Sequence, residues 1–219
     1  MGPYHYEYYK KMFYSGGITG FSTKFIHKAL EKNVKSKYSK ILEVGGGEGY
    51  HLPFVTNSYD KYFLTDIDLR TLSDSARIIQ LAGKLVHEFQ DGSKLSYRKN
   101  QFDRVIFMCV LHHVSDIELV IREARRVCKN GGLISIYLPT DPGVIYRLMR
   151  KIVTWRKSRR LKINYEYISS LGHRNHFYSI FNILKKEFQG DFVSISRWPF
   201  HLPFYDLNLY YIIHITIKK

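Results

Sequence analysis

Three groups of residues in this chain have types and spacings that suit them to chemistry. The first is a glycine loop, Ile41-Leu42-Glu43-Val44-Gly45-Gly46-Gly47-Glu48-Gly49-Tyr50, in which an apolar run leads into glycines at alternate positions. Glycine is needed where a backbone turns sharply or must approach a ligand without Cβ interference. The second is a pair of acids: Asp66-Ile67, 17 positions beyond Gly49, and Asp91-Gly92, after a later apolar run. A carboxylate at Asp66 can accept hydrogen bonds from both hydroxyls of a ribose, and one at Asp91 can meet an adenine amino group. The third is histidine: His112-His113 and His173-Arg174-Asn175-His176, with His201 more remote. Imidazole is the usual group for taking a proton from a hydroxyl near neutral pH.

The loop also resembles a dinucleotide fingerprint, but its spacing favours GxGxG over GxGxxG. Glu43 sits two residues before the first glycine, and Glu48 lies within the loop. Acids there suit a cationic ligand and repel phosphate.

These residues need elements to hold them. Strands are expected at 41–44, 62–65, 85–89, 104–108 and 133–138, with helices near 49–56, 70–82 and 116–128. Such alternation implies βαβ units and a parallel sheet. Before them, a glycine-rich break at 15–20 precedes apolar residues at helical spacing, Phe21, Phe25, Ile26, Ala29 and Leu30. Tyr4, Tyr6, Tyr8, Tyr9, Phe13 and Tyr14 crowd this end, as a mobile aromatic lid or a packed cap. After the strands, a helix is expected at 179–188, with Ser179 as its N-cap. Strands at 192–197 and 209–217 follow.

With 219 residues and 45% hydrophobic content, the chain suits one α/β domain with additions. The expected parts are a cap (1–38), a cofactor-binding core (39–140), a basic acceptor-side cover (141–178) and a C-terminal helix and strand pair (179–219). The net charge is +15, which calls for an anionic partner without choosing among nucleic acid, phospholipid and phosphorylated substrate. Much of it lies in 147–162, where Arg147, Arg150, Lys151, Arg156, Lys157, Arg159, Arg160 and Lys162 meet no acid. Leu148, Ile152 and Trp155 between them predict a basic amphipathic helix, able to cover an anionic acceptor or rest on a membrane surface. Cys109 and Cys128 have no metal-ligand spacing, so neither a disulfide scaffold nor a metal site is expected. No apolar run is long enough to span a bilayer, and a cytoplasmic location is expected.

The glycine loop and its acids, continued by Gln101-Phe102-Asp103-Arg104-Val105-Ile106, Val110-Leu111-His112-His113-Val114, Glu123-Ala124-Arg125-Arg126-Val127 and Lys129-Asn130-Gly131-Gly132, resemble the class I S-adenosylmethionine-dependent methyltransferases over residues 38–140. Asn130 replaces the commoner proline of the Gly-Gly turn. The resemblance implies a Rossmann-like, doubly wound, mostly parallel seven-stranded sheet with an antiparallel C-terminal strand. It also implies S-adenosylmethionine as cofactor. Glu43, Gly45, Gly47 and Gly49 would frame its methionine moiety, Asp66 would hold its ribose, Asp91 with Gly92 would border its adenine, and Ile67 would also belong to the cofactor site. Met108 and Cys109 would line the site after strand four. The expected acceptor is a small molecule, probed by His113 or His176 as base. An RNA methyltransferase and a non-catalytic cofactor-binding scaffold are the alternatives.

Overall fold

The computed structural model describes residues 10–14 and 17–219; Tyr4, Tyr6, Tyr8 and Tyr9 lie outside the described residues. The apolar runs form strands β1 (Lys37–Val44), β2 (Ser58–Asp66), β3 (Leu85–Phe89), β4 (Phe102–Met108), β5 (Cys128–Pro139), β6 (Phe192–Pro199) and β7 (Asn208–Thr216). The helices are α1 (Gly17–Leu30), α2 (Asp74–Leu81), α3 (Ile117–Val127), α4 (Val144–Leu161), α5 (Tyr165–Gly172) and α6 (Phe177–Glu187). One sheet takes the order β3-β2-β1-β4-β5-β7-β6. Its pairings are parallel from β3 to β5, and β7 runs antiparallel to both neighbours.

Adjacent residues on a strand point to opposite faces, and here both faces are buried. Leu42, Val105, Phe107, Ile134 and Ile136 pack with Val120, Ile121 and Ala124 of α3 and Ile180 and Leu184 of α6. Ile41, Tyr62, Leu64 and Ile106 pack on the other side with Leu30 and Ala76. Runs that are apolar throughout, rather than alternating, reflect this double cover. The order in which strands are laid down reverses between the parallel neighbours β1 and β4, which leaves a crevice at their carboxyl ends where open α/β sheets take ligands.

Local signals explain α2 and α3. Ser73 Oγ accepts from Ala76 N at 3.3 Å, and Asp116 Oδ1 accepts from Leu119 N at 3.0 Å, each a side-chain cap on an otherwise unsatisfied N–H. No helix among the described residues is long and apolar enough to cross a membrane.

Several expectations change. The helix expected near 49–56 is a chain of turns with one short 3₁₀ segment, Leu52–Phe54. Pro53 lacks an N–H, and β2 begins too soon for a longer helix. The glycine break expected at 15–20 is partly absorbed into α1, which already includes Gly17 and Gly20. Helix α6 begins before Ser179, with His176 at the N-cap and no side-chain cap bond. Buried Phe177 draws that start inward, and its N–H donates to Asp141 O at 2.9 Å. The turn around Asn130 lies within β5 as a bulge, the register stepping from Phe102–Cys128 to Arg104–Leu133. Helix α4 forms as expected, yet Leu148, Ile152 and Trp155 are 56%, 60% and 51% exposed. It is held instead by polar contacts: Arg150 Nη1 donates to Ser169 Oγ at 3.0 Å, and Lys157 Nζ to Met12 O at 2.7 Å.

Candidate functional site

Beyond Val44 the chain turns over the end of β2, with Gly45 N and Gly46 N both donating to Thr65 O at 2.8 and 3.0 Å. Gly45 (φ 71°) and Gly47 (φ 53°) occupy the left-handed region, where a side chain is strained. Gly47 N donates to Asp66 Oδ2 at 2.9 Å, and Asp68 N to Asp66 Oδ1 at 3.0 Å. The Asp66 carboxylate is thus oriented by backbone, and each oxygen keeps a lone pair for a ligand.

Gly45, Gly46 and Gly47, with Asp66, Ile67, Asp91, Gly92, Met108 and Cys109, line a cavity of about 330 Å³, of a size that holds small ligands. Glu43 reaches it from beneath the loop. Burial raises the Glu43 carboxyl above its ordinary value, against the opposing pull of His51 and the 2.8 Å hydrogen bond donated by Tyr62. Met108 ends β4, and Cys109 turns the chain at φ 61°, an uncommon conformation for a non-glycine residue and one frequent at binding sites. Ile67 is 62% exposed at the rim, an apolar surface ready to be covered.

The wall fits S-adenosylmethionine. A Cβ on Gly45 would lie 2.3 Å from Val110 Cγ2, and one on Gly92 2.9 Å from Val44 Cγ1. Bare backbone is therefore required at both places. Carboxylates on the lining (Glu43, Asp66, Asp68, Asp91) outnumber guanidiniums (Arg70, Arg174), as a cationic ligand needs. Asp91 Oδ1 accepts from Ser93 N and Oγ at 2.9 and 2.7 Å, and those bonds lower its pKa and favour the charged form.

Gly49, expected to frame the cofactor, and Glu48, the acid within the loop, are not among the lining residues. Gly49 faces α2: a Cβ there would stand 2.9 Å from Ala76 Cβ and 3.0 Å from Leu64 Cδ2, so this glycine permits close packing beneath the loop. Glu48 accepts from Lys10 Nζ at 2.9 Å and from Tyr50 Oη at 2.6 Å. It pins the N-terminal segment rather than screening the cavity. Tyr14 stacks on Tyr50 with centroids 4.0 Å apart, and both line the cavity.

A buried polar chain, unforeseen from sequence, supports this end. His27 and His51 line the cavity with their Nδ1 atoms 3.0 Å apart. His51 Nε2 donates to Glu31 Oε1 at 3.0 Å, and Arg104 Nη1 donates to Glu31 Oε2 at 2.8 Å. Burial would raise the Glu31 carboxyl, but His51 and Arg104 hold it down at about 2. His27 is pushed well below the ordinary imidazole value by burial and by His51. The signal in the sequence was weak, because the four residues are scattered over 78 positions between separate elements.

The opposite wall carries His113, Val114, Ser115 and Arg174. His113 Nδ1 donates to Gly172 O at 2.7 Å. Burial lowers His113 to about 4 despite that bond, so the ring is neutral at pH 7 and a weak base. His112 is buried behind it, and burial with the two neighbouring imidazoles holds it well below the ordinary imidazole value. His176 is exposed at the start of α6 and outside the lining, because Phe177 rather than His176 turns inward. His201 is exposed in the link before β7. No residue of α4 is among those lining the cavity, so the basic helix does not form its wall.

The profile of the methyltransferase domain family matches residues 42–136. The match supports a class I S-adenosylmethionine-dependent methyltransferase domain over those residues. The strand order and the antiparallel β7 place the chain among Rossmann-like folds. Among curated relatives, UbiE, a ubiquinone/menaquinone biosynthesis C-methyltransferase of Cellvibrio japonicus, is 30% identical over 54% of this chain and 49% of its own length. The highly reducing polyketide synthase calA of Penicillium decumbens is 28% identical over 64% of this chain. The chain spans only 5% of that synthase. In fold, the chain is similar to the PH0226 protein of Pyrococcus horikoshii OT3, with a TM-score of 0.65, 17% identity and full coverage of both chains.

Proposed function

We propose that this chain transfers the methyl group of S-adenosylmethionine to a hydroxyl of a small-molecule acceptor, such as a sugar, a glycan intermediate or another metabolite. The observation that carries the proposal is one cavity in which bare glycine backbone and the oriented Asp66 carboxylate share the lining with His113 and Arg174. Glu43, Gly45 and Gly47 frame the methionine end, and Gly49 supports the loop from behind. Asp66 holds the ribose, Ile67 lies against the adenine, and Asp91 with Gly92 borders its edge. Met108 and Cys109 line the methyl side.

Bound there, the cofactor supplies a methyl carbon already activated by a sulfonium. The chain's task is to align the acceptor about 3–3.5 Å from that carbon and to keep water out. The stacked Tyr14 and Tyr50 close one side, and aromatic faces favour a cationic sulfur. His113, with its Nδ1–H committed to Gly172, stands in the cavity wall on the acceptor side.

The acceptor is proposed to be anionic or lipid-linked. Arg174 stands on the cavity wall, and α4 presents an exposed apolar stripe flanked by basic residues. Such a helix binds anionic membrane surfaces. A reducing cytoplasmic setting suits the two free thiols, Cys109 and Cys128. Carbon methylation is the second reading, favoured by UbiE, a C-methyltransferase by name.

Calorimetric titration with S-adenosylmethionine, then transfer of a ¹³C-labelled methyl group to fractionated extract, tests the proposal. Oxygen-bound and carbon-bound methyl groups have distinct NMR shifts, so one product spectrum separates the two readings. Absence of cofactor binding, or label found exclusively in RNA, would overturn it.

A further inference from the structure

We propose that His112, His113 and His173 form a binding site for one divalent transition-metal ion of the zinc class beside the cofactor cavity. The three residues each offer a ring nitrogen, and these nitrogens all lie within 4.8 Å of one another. The ring centroids are 3.9, 4.4 and 5.2 Å apart. Nitrogen ligands about 2.0–2.1 Å from a tetrahedral zinc stand about 3.3 Å from each other. Metal binding would draw the nitrogens together from separations of up to 4.8 Å to about 3.3 Å.

Two of the rings already have the outer partners that metal-ligating histidines use. His113 Nδ1 donates to Gly172 O at 2.7 Å, and His173 Nδ1 donates to Asp141 Oδ2 at 2.6 Å. A carbonyl and a carboxylate can only accept, so each Nδ1 carries a proton and each Nε2 keeps its lone pair. This is the second shell that fixes the tautomer and strengthens the ligand. Asp141 is braced in turn by Arg150 at 3.3 Å. The third ring, His112, has a buried Nδ1 with no hydrogen-bond partner, a polar atom left unsatisfied at the cluster.

The backbone holds these ligands in register although they come from distant positions. Arg174 N and Asn175 N donate to His112 O at 2.8 and 3.2 Å. Asn175 Nδ2 donates to Leu111 O and Val114 O at 3.2 and 2.7 Å. The loop after β4 and the link from α5 to α6 are thereby strapped together around the cluster. Three imidazoles without a carboxylate ligand select zinc, cobalt or iron over magnesium or calcium, which require oxygen. Three protein ligands also leave a coordination position for water or an acceptor oxygen. His113 belongs to both the cluster and the cavity wall.

The test uses the full chain, stripped with chelator and then titrated with Zn²⁺ or Co²⁺. Metal analysis after gel filtration gives the stoichiometry, and visible absorption reports tetrahedral Co²⁺. One equivalent per chain is expected. His112→Ala and His173→Ala should each abolish retention, and Asp141→Asn should weaken affinity about 10–100-fold. His176→Ala, at an exposed ring outside the cluster, should retain the metal. If His112→Ala does not fold, His173→Gln tests the same site from its more accessible side. Failure of the unmodified chain to retain metal overturns the proposal, as does undiminished binding in the His112 and His173 variants. Titration of the same samples with S-adenosylmethionine reads the cofactor pocket separately, so the two proposals can fail independently.

Discussion

Arg104 Nη1 donates to Glu31 Oε2 across 2.8 Å, with the arginine side chain fully buried and that of Glu31 2% exposed. The pair joins the end of α1 to β4 and backs the histidines that line the cavity. A buried pair contributes little net stability over an apolar replacement, but removing one partner strands the other. Arg104→Met should therefore lower unfolding free energy by about 3–5 kcal/mol in urea titration. Arg104→Met combined with Glu31→Gln should recover part of that loss. A single-variant loss below about 1 kcal/mol would show that Glu31 finds another partner.

Acid sensitivity follows from the same carboxylate. Glu31 titrates at about 2 in the fold against an ordinary value of 4.5. A depressed folded pKa gives stability that is fully present above the unfolded value and lost as pH falls towards the folded one. Stability should drop by roughly 3 kcal/mol between about pH 4.5 and 2. Glu31→Gln should flatten that part of a pH-dependent denaturation series. An unchanged slope would assign the acid sensitivity elsewhere.

Gly45 and Gly131 separate close contact from backbone conformation. Both have positive φ, 71° and 69°, yet a Cβ on Gly45 meets Val110 whereas one on Gly131 meets nothing within 4 Å. Gly131→Ala should cost about 1–2 kcal/mol of stability from conformation and leave cofactor affinity unchanged. Gly45→Ala should add a packing cost of about 1–3 kcal/mol and reduce S-adenosylmethionine affinity at least about tenfold. Equal calorimetric affinities for the two variants would remove Gly45 from the site.

Asp66→Asn keeps the shape of the side chain but removes its charge. Hydrogen bonds to a charged group contribute about 1.5–3 kcal/mol, so the affinity for S-adenosylmethionine should fall about 10–100-fold. Ser93→Ala, which loses the hydroxyl bonded to Asp91, should have a smaller effect. Thermal shift with and without cofactor ranks them, and the opposite order would reassign the ribose contact.

The core of the fold was legible because it rests on local and periodic signals. β3 occupies the expected span, Leu85–Phe89, and the Asp116 cap starts α3 one residue later than the expected boundary. Gly45, Gly47 and Asp66 stood out because a sharp turn after a strand admits few residue types. The short segment after Gly49 departs from the expected helix because its apolar residues have no room to propagate as one before β2. Leu148, Ile152 and Trp155 show the limit of periodicity: it placed them on one helix but said nothing about whether that face is covered.

The amino-acid sequence by itself determined the alternation of strands and helices, the glycine loop, the acid after β2 and the concentration of positive charge in α4. Each depends on residues close together in the chain, through backbone geometry, burial or charge. Tertiary structure decided which of the ten histidines matter and for what. It buried His27 and His51 behind the loop, left His176 in solvent, and brought His173 against His112 and His113. Those contacts depend on how α1, the loop after β4 and the link before α6 dock on the sheet, and long-range docking leaves no spacing in the sequence to read.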